Sequence, residues 1–335
     1  MVEVVWSVRD GAGSVEFRGT ASSALLADKG YDVSLWVYEE DLAREMQRTR
    51  INTVFLPDFN IPDGIKVSHS LEDVLKKARY ILNVVPTQHT RSVFKTTISY
   101  ISEDAVIINA SKGIERGTLL TVSDILKELL TCRIAVLTGP SFAREVIKKL
   151  PTAVTIATGD NDTGLLLQEI FNTDYFRVYT HPDILGAELG GALKNVMAIA
   201  AGISDGLGLG ASARAALITR GLAEITRLGV AMGADERTFM GLSGLGDLVL
   251  TCTGCLSRNY TVGFKLGQGM KLEDILCNMK MVAEGITTAE AAFELSKKYN
   301  VEMPIVEQIY KVINEGKNPS NAVKELMARS LKSEF

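Results

Sequence analysis

The 335-residue chain is poor in the residues that cross-link small secreted proteins or bind metals. It has only four cysteines and three histidines, too few cysteines for a disulfide scaffold of this length. Cys252 and Cys255 form a C-x-x-C pair, but a zinc site needs about four ligands, and the histidines show no paired spacing. We therefore predict reduced cysteines and no metal site.

The sequence also lacks a strong excess of charge and long apolar segments. Its net charge of −4 argues against a protein that coats nucleic acid. An anionic ligand would therefore need locally placed positive charge. No apolar run reaches the roughly 18 residues of a membrane span, and the first residues lack the features of a signal peptide. We expect a cytoplasmic protein whose length allows two domains.

Short apolar runs alternate with helical patterns over about the first half of the chain. Runs that are apolar on both faces favour a buried parallel sheet covered by helices, and ligands of such sheets bind at the carboxyl ends of the strands. The predicted strands are residues 2–8, 33–37, 80–85, 105–109, 134–137 and 154–157, with helices at 20–29 and 39–50.

Strand patterns stop after about Tyr179. The sequence then predicts only helices, the first capped by Asp183 and the second ended by Gly229. These helices are residues 184–203, 211–228, 242–252, 287–299 and 306–315. The fold class is therefore α/β: a Rossmann-like, doubly wound, mostly parallel sheet (residues 1–182) followed by an all-α C-terminal domain (183–335).

A glycine-rich segment follows the first predicted strand. Residues 11–14 read Gly-Ala-Gly-Ser, a pattern that lets the backbone approach a pyrophosphate at a helix N-terminus. The usual spacing requires a third glycine where Glu16 stands, and the next one is Gly19. A dinucleotide-binding loop and a plain glycine-rich turn both remain open.

Acidic residues follow the second predicted strand. A carboxylate here can bind the ribose 2′-hydroxyl of NAD, and Glu39, Glu40 and Asp41 would repel the 2′-phosphate of NADP. The same residues also favour a helix N-terminus. This pattern leans towards NAD.

Two polar segments, residues 109–113 and 138–143, follow buried strands at the edge where ligands bind. Lys112 in the first offers a point charge to a phosphate or an activated oxygen. Each segment alone could equally be a capped turn.

Lys194 is the only long side chain on a stripe of small residues along the first C-terminal helix. Glycine within a helix costs about 1 kcal/mol relative to alanine, so a packed helix or a ligand must approach here. The other members of the stripe are Ala187, Gly190, Gly191, Ala198 and Ala201. A buried lysine loses proton affinity and can act as a base, but a lysine can also snorkel to the surface.

A further polar group surrounds residues 244–259. Asp247 and Thr251 are four residues apart and share a helix face. Arg258 between Ser257 and Asn259 offers a fork of donors suited to a phosphate, although a surface arginine is the more common case.

Taken together, these motifs closely resemble the NAD(P)-dependent glycerol-3-phosphate dehydrogenase family, bacterial type. The resemblance runs from about residue 10 to the C-terminus. The matching strings are residues 52–57, 111–113, 139–143, 193–196, 204–206, 219–224, 244–248, 257–259 and 282–285.

The resemblance implies interconversion of sn-glycerol 3-phosphate and dihydroxyacetone phosphate, which supplies glycerol 3-phosphate for glycerophospholipid synthesis, and a homodimer. It implies that Lys194 is the general base, that Asp247 and Thr251 support it, and that Lys112 contacts both substrate and cofactor. The implied substrate contacts are Lys112, Gly139, Ser141, Lys194, Asp247, Ser257, Arg258 and Asn259. The implied NAD or NADP contacts are Gly11, Gly13, Ser14, Tyr38, Lys112, Ala143, Arg258, Val282 and Glu284.

Two departures from the family pattern concern the cofactor. Residues 15–18 (Val-Glu-Phe-Arg) intervene before Gly19, and Tyr38 stands where the family carries a basic side chain. Two alternatives therefore stay open: a related β-hydroxyacid-type reductase, and a binding protein with an impaired cofactor site. Asp247 would also raise the pKa of Lys194 while burial would lower it, and the sequence does not decide between them.

Overall fold

The structure is a computed structural model that describes residues 2–5, 14–254, 256–279, 283–331 and 333–334, with only the backbone of residues 2–5 and 14–17. Three predicted cofactor contacts, Gly11, Gly13 and Val282, lie outside the described residues, as does Cys255 of the C-x-x-C pair.

The first half of the chain forms a sheet with the strand order β10-β9-β8-β7-β6-β1-β2-β5, and β3 and β4 form a separate hairpin. The strands are β1 (Val2–Val5), β2 (Val33–Trp36), β3 (Ile51–Asn52), β4 (Leu56–Asn60), β5 (Ile65–Ser68), β6 (Tyr80–Asn83), β7 (Val106–Asn109), β8 (Arg133–Thr138), β9 (Thr152–Ala157) and β10 (Phe176–His181).

Helices cover both faces of this sheet. They are α1 (Ser14–Asp28), α2 (Glu40–Thr49), α3 (Leu71–Leu75), α4 (Thr87–Thr97), α5 (Val122–Leu129), α6 (Ala143–Ile147) and α7 (Asn161–Phe171). One apolar cluster includes Leu82, Ile108 and Leu26, and a second includes Ile81, Ile107 and Phe94. Alternate residues of the same strands thus enter opposite cores, which confirms strands buried on both faces.

The sheet is doubly wound and mostly parallel. From β1 the chain runs through β2 to β5 on one side, and then through β6, β7 and β8 on the other. The order therefore reverses between β1 and β6, and such a switch point is where open α/β sheets bind their ligands. The β8–β9 pair is antiparallel.

The second half is helical, as predicted. Its helices are α8 (Ile184–Gly206), α9 (Gly210–Ala231), α10 (Asp247–Thr253), α11 (Arg258–Gly267), α12 (Leu272–Cys277), α13 (Glu284–Lys298), α14 (Pro304–Asn314) and α15 (Pro319–Met327). The Asp183 side chain caps α8 by accepting from the Gly186 N–H at 2.9 Å. Because α8 is buried from Gly186 to Ser204, it forms the centre of the helical core.

By length and composition α8 could cross a membrane, but most of it is buried inside this protein. Core helices have the same composition, so this is weak support for a span.

Two details of the helical half differ from the prediction. Gly229 does not end α9, which continues to Ala231; a Cβ on Gly229 would lie 2.1 Å from the Phe239 ring, so this glycine makes room for an aromatic side chain. The predicted helix 242–252 begins as a π-helical turn, Leu242–Gly246, before α10 starts at Asp247.

Candidate active site

Lys112 lies in the loop that follows β7, and a buried polar network fixes that loop against α8. Asn109 donates to Glu188 Oε1 on α8 at 2.8 Å and accepts from Asn83 Nδ2 on β6 at 3.1 Å. Glu188 also accepts from the Ser123 backbone N–H at 3.0 Å. The network therefore holds the loop carrying Lys112 between the sheet and the helical half.

The small-residue stripe of α8 makes room for this lysine. A Cβ on Gly191 would lie 3.5 Å from Lys112 Cδ and 3.0 Å from Thr138 Oγ1. A Cβ on Gly190 would lie 2.5 Å from the Ser243 carbonyl oxygen in the π-helical turn. The stripe thus accommodates both the Lys112 side chain and the turn that leads to Asp247.

Asp247 joins Lys112 and Lys194 in one buried cluster. Lys112 Nζ donates to Asp247 Oδ2. Lys194 Nζ donates to Asp247 Oδ1 at 2.5 Å and to Thr251 Oγ1 at 2.6 Å. All four side chains are buried, so Lys194 does not snorkel to the surface. The four predicted catalytic residues therefore lie together.

Burial lowers the pKa of both lysines, more strongly for Lys112, although the Asp247 carboxylate opposes the shift. Burial also acts to raise the pKa of Asp247, but the two ammonium groups outweigh it and leave that pKa low. For Lys194 the effect of burial therefore exceeds that of its carboxylate partner. A lysine of lowered pKa beside an ionised carboxylate can gain and release a proton more readily than an exposed one.

The π-helical turn positions Asp247 at the start of α10. This turn and Asp247 are packed against α8, and Asp247 and Thr251 are four residues apart on the inward face. Thr251 Oγ1 donates to the Asp247 carbonyl oxygen at 2.6 Å. Single π-helical turns are rare and often occur at functional sites.

Ser257, Arg258 and Asn259 lie at the N-terminus of α11, where backbone N–H groups favour an anion. The Ser257 hydroxyl caps the helix by accepting from the Tyr260 N–H at 3.2 Å. Asn259 Oδ1 accepts from the Gly285 N–H at 3.0 Å. These bonds fix the two polar side chains that flank Arg258.

One cavity of about 310 Å³ is lined by Lys194, by Asp247 and by residues 257–259, which we call the phosphate fork. Its lining includes Ser141, Ala143, Lys194, Asp247, Thr251, Ser257, Arg258 and Asn259. Gly139 is not among the described residues that line this cavity, but it contacts two residues of the site. Its carbonyl oxygen accepts from Ser141 Oγ at 3.1 Å and from Lys112 Nζ at 3.4 Å. Gly139 has φ +130° and lies against Val154, so another residue would be strained there. Lys112 lines a smaller neighbouring cavity with Ser141 and Ala143.

The remaining predicted cofactor contacts lie on three different parts of the chain. Ser14 begins α1 next to the switch point. Tyr38 follows β2 and packs edge-on against Trp36, with ring centroids 6.1 Å apart. Glu284 begins α13. Neither Tyr38 nor Glu284 is among the described residues that line the 310 Å³ cavity.

Seven of the described residues that line this cavity were not predicted as site residues: Arg18, Phe142, Arg144, Asn195, Leu250, Leu256 and Thr261. Asn195, adjacent to Lys194, lines it and is buried; its position within the matching string 193–196 was the available signal. Arg18 lines both the 310 Å³ cavity and the smaller one. The irregular glycine segment, residues 11–19, indicated this part of the chain but did not single out Arg18.

Comparisons with known proteins agree with this geometry. Residues 11–164 and 183–324 match the family models described as the N-terminus and C-terminus of NAD-dependent glycerol-3-phosphate dehydrogenase. A curated glycerol-3-phosphate dehydrogenase (NAD(P)+) from Syntrophotalea carbinolica is 52% identical over 329 residues, covering 97% of this chain and 98% of the relative.

Solved structures agree as well. A crystal structure of glycerol-3-phosphate dehydrogenase from Coxiella burnetii has a TM-score of 0.92 at 39% identity and covers 98% of this chain and 99% of that chain. A structure of D-mandelate dehydrogenase, covering 96% of this chain and 100% of its own, has a TM-score of 0.59 at 12% identity and shares the fold alone.

Proposed function

Since the chain belongs to the NAD-dependent glycerol-3-phosphate dehydrogenase family, we propose that its buried Lys112–Asp247–Lys194 cluster is the catalytic centre. The chain is an oxidoreductase that interconverts sn-glycerol 3-phosphate and dihydroxyacetone phosphate with NAD or NADP. One observation carries the assignment: Lys112 Nζ and Lys194 Nζ donate to the two oxygens of the buried Asp247 carboxylate, and both Asp247 and Lys194 line the 310 Å³ cavity.

Lys194 moves the proton. In the oxidation direction its neutral amine accepts the proton of the substrate C2 hydroxyl, and in reduction its ammonium returns that proton to the carbonyl oxygen. Asp247 and Thr251 hold Nζ in place and stabilise the protonated amine. Lys112 Nζ donates to the other oxygen of the same carboxylate and places a second hydrogen-bond donor near the developing alkoxide.

Ser257, Arg258 and Asn259 bind the substrate phosphate, and Gly139 and Ser141 line the position of its carbon chain. A guanidinium next to a helix N-terminus is well suited to a phosphate, because it offers paired donors and a permanent charge. Ser141, Ser257, Arg258 and Asn259 line the same cavity as Lys194, so one three-carbon phosphate can contact both the base and the phosphate-binding residues.

The described residues fit a nicotinamide dinucleotide. The strand order reverses between β1 and β6, next to the N-terminus of α1, and the buried Glu284 Oε1 has no hydrogen-bond partner among the described residues. Ser14, Tyr38, Lys112, Ala143, Arg258 and Glu284 would hold the cofactor, together with Gly11, Gly13 and Val282. When bound, the nicotinamide donates or accepts the hydride at substrate C2. The acidic residues after β2 favour NAD over NADP.

The division of labour follows the two halves: residues 1–182 bind the cofactor and 183–335 carry the base and the phosphate fork. We further propose a cytoplasmic homodimer that supplies glycerol 3-phosphate for glycerophospholipid synthesis. Sedimentation of the purified protein tests the dimer. Cell fractionation and the lipid content of a deletion strain test the location and role.

The direct test is oxidation of NADH or NADPH by the purified protein with dihydroxyacetone phosphate. Phosphate-dependent turnover supports the proposal, whereas no turnover with either nucleotide in a folded sample refutes it. An equal rate with dihydroxyacetone would argue for a reductase that does not require the phosphate. A fluorescence titration with NADH examines the alternative of an impaired cofactor site, which predicts no saturable binding.

A further inference from the structure

Arg18 joins two parts of the molecule that lie on different elements. It belongs to α1, the helix that follows the switch point of the sheet. Its Nη1 donates to the carbonyl oxygen of Ala110, the residue directly after β7, at 2.7 Å. In the sheet, β6 lies between β1, which precedes α1, and β7. Arg18 therefore reaches from the predicted cofactor loop towards the segment that carries Lys112.

The same side chain lines the 310 Å³ cavity together with Lys194, Arg258 and Asn259. It also lines the smaller cavity that contains Lys112. The Ala110 bond uses one of the five N–H donors of a guanidinium, and no carboxylate of the described residues forms a salt bridge with Arg18. Arg18 thus places a positive charge at the cavity, and no acidic group of the described residues forms a salt bridge with it.

The charges around the cavity are unequal. Burial raises the pKa of the Glu284 carboxyl, although the charges of Arg18, Arg258, Lys112 and Lys194 oppose the shift. The charge of Arg18 also acts to lower the pKa of both lysines. Asp247 is the other carboxylate of the cluster. Basic side chains, which include Arg144 of the same cavity, therefore outnumber these two carboxyl groups, and this favours an anion.

We propose that Arg18 binds a phosphate group of the reacting complex, either the phosphate of the three-carbon substrate or the pyrophosphate of the dinucleotide. The inference rests on the proposed function for the identity of these ligands. Both sources present the same chemistry, because phosphate oxygens pair with the forked donors of a guanidinium. Arg18 lies in the irregular segment 15–18, so this contact would be a property of this chain's own loop.

The test compares Arg18→Gln with the wild-type protein in two binding measurements. The first is the KM for dihydroxyacetone phosphate, beside kcat/KM for phosphate-free dihydroxyacetone. The second is the Kd for NADH by fluorescence titration, without substrate. Losing a charge-assisted hydrogen bond should weaken binding about tenfold or more.

The two arms identify the source of the phosphate. A rise in KM for dihydroxyacetone phosphate, with dihydroxyacetone kinetics and the NADH Kd unchanged, assigns Arg18 to the substrate. A rise in the NADH Kd assigns it to the cofactor. The proposal is overturned if the KM and the NADH Kd both stay within about twofold of wild type. It is also overturned if kcat falls equally for both substrates while NADH binding is unchanged. Either result would assign Arg18 a structural role through its hydrogen bond to Ala110.

Two further variants guard this test. Arg177→Gln removes an exposed arginine from the edge strand β10 and should leave both constants unchanged. Arg18→Lys keeps the positive charge but loses the paired N–H donors of the guanidinium. It should therefore raise whichever constant Arg18→Gln raises, the KM or the NADH Kd, by a smaller factor. If Arg18→Gln does not fold, unchanged constants in Arg18→Lys overturn the proposal. If the wild type binds NADH but turns over no dihydroxyacetone phosphate, the proposed function fails, and calorimetry with glycerol 3-phosphate still tests Arg18.

Discussion

Lys112 and Lys194 donate to opposite oxygens of the same buried carboxylate, that of Asp247. The two lysines come from different halves of the chain, one from the loop after β7 and one from the middle of α8. The Asp247 carboxylate therefore links a lysine of the first half of the chain to a lysine of the helical half. Because the carboxylate offsets part of the repulsion between two buried cations, its removal should affect stability and turnover together.

Asp247→Asn should be strongly destabilised near neutral pH and should lose most activity. Removing one partner of a buried ion pair costs about 3–5 kcal/mol, since the remaining charges stay buried. Both lysines already have lowered pKa values, and asparagine lowers them further. A lysine whose folded pKa lies below its unfolded value destabilises the protein at low pH, and stability returns as pH rises through that interval.

Thermal unfolding of Asp247→Asn between pH 6 and pH 9 checks this prediction. The deficit relative to wild type should shrink as pH rises. The exposed Asp58→Asn is the matched control and should follow the wild-type curve. A deficit that is constant across this range would argue against two buried ammonium groups.

Gly263→Ala should disturb substrate binding without touching the cavity. A Cβ on Gly263 would lie 2.0 Å from the Ile199 carbonyl oxygen, so α11 must move away from α8. The expected cost is about 1–3 kcal/mol of stability. The KM for dihydroxyacetone phosphate should rise as well, because Ser257, Arg258 and Asn259 begin that helix.

Denaturant unfolding and steady-state kinetics measure both effects. Gly159→Ala is a suitable control, since nothing lies within 4 Å of its added Cβ. An unchanged KM in a destabilised Gly263→Ala protein would show that the helix crossing does not position the phosphate fork.

Much of the site was predictable because it consists of local patterns. The helical spacing of Asp247 and Thr251, the small residues around Lys194 and the polar ends of β7 and β8 all indicated their positions. The hydrogen bond between Lys112 and Asp247, 135 residues apart, was not predicted; the family resemblance only implied that both residues belong to one site. No local pattern specifies which loop will meet which helix.

The parts that the sequence did not predict depend on packing between distant segments. Gly229 resembles a helix end, but its role is to admit the Phe239 ring. The π-helical turn before Asp247 packs against Gly190, and the hydrophobic pattern of residues 242–252 does not distinguish it from an α-helix. Strands β3, β4, β5 and β10 were not predicted, because β3 has only two residues and exposed residues interrupt the buried ones in the other three, whereas the predicted strands were mostly apolar runs. The boundary at residues 182 and 183 stays a prediction.

Glu224 should make the stability of the helical half depend on pH. It accepts from the Ile305 N–H at 2.8 Å and from the Val306 N–H at 3.2 Å, capping α14. Burial raises its pKa from 4.5 to about 7, although these backbone donors oppose the shift. The folded protein therefore holds a proton that the unfolded chain loses, and this contribution to stability is lost as pH rises from 4.5 through about 7.

Melting temperatures of wild type and Glu224→Gln across that interval check the prediction. The glutamine cannot ionise, so its stability should decline less with rising pH. Glu294→Gln, at an exposed position of α13, should behave as wild type. Parallel curves for wild type and Glu224→Gln would contradict the raised pKa.

The most direct test of the account is the effect of Lys194→Ala on turnover and on cofactor binding, measured in the same preparation. If Lys194 moves the proton, kcat should fall about 10²- to 10⁴-fold, while the Kd for NADH stays within about twofold of wild type. Lys324→Ala, at an exposed position of α15, should change neither. A Lys194→Ala protein that retains kcat, or that loses NADH binding as much as turnover, would contradict the assignment of Lys194 as the catalytic base.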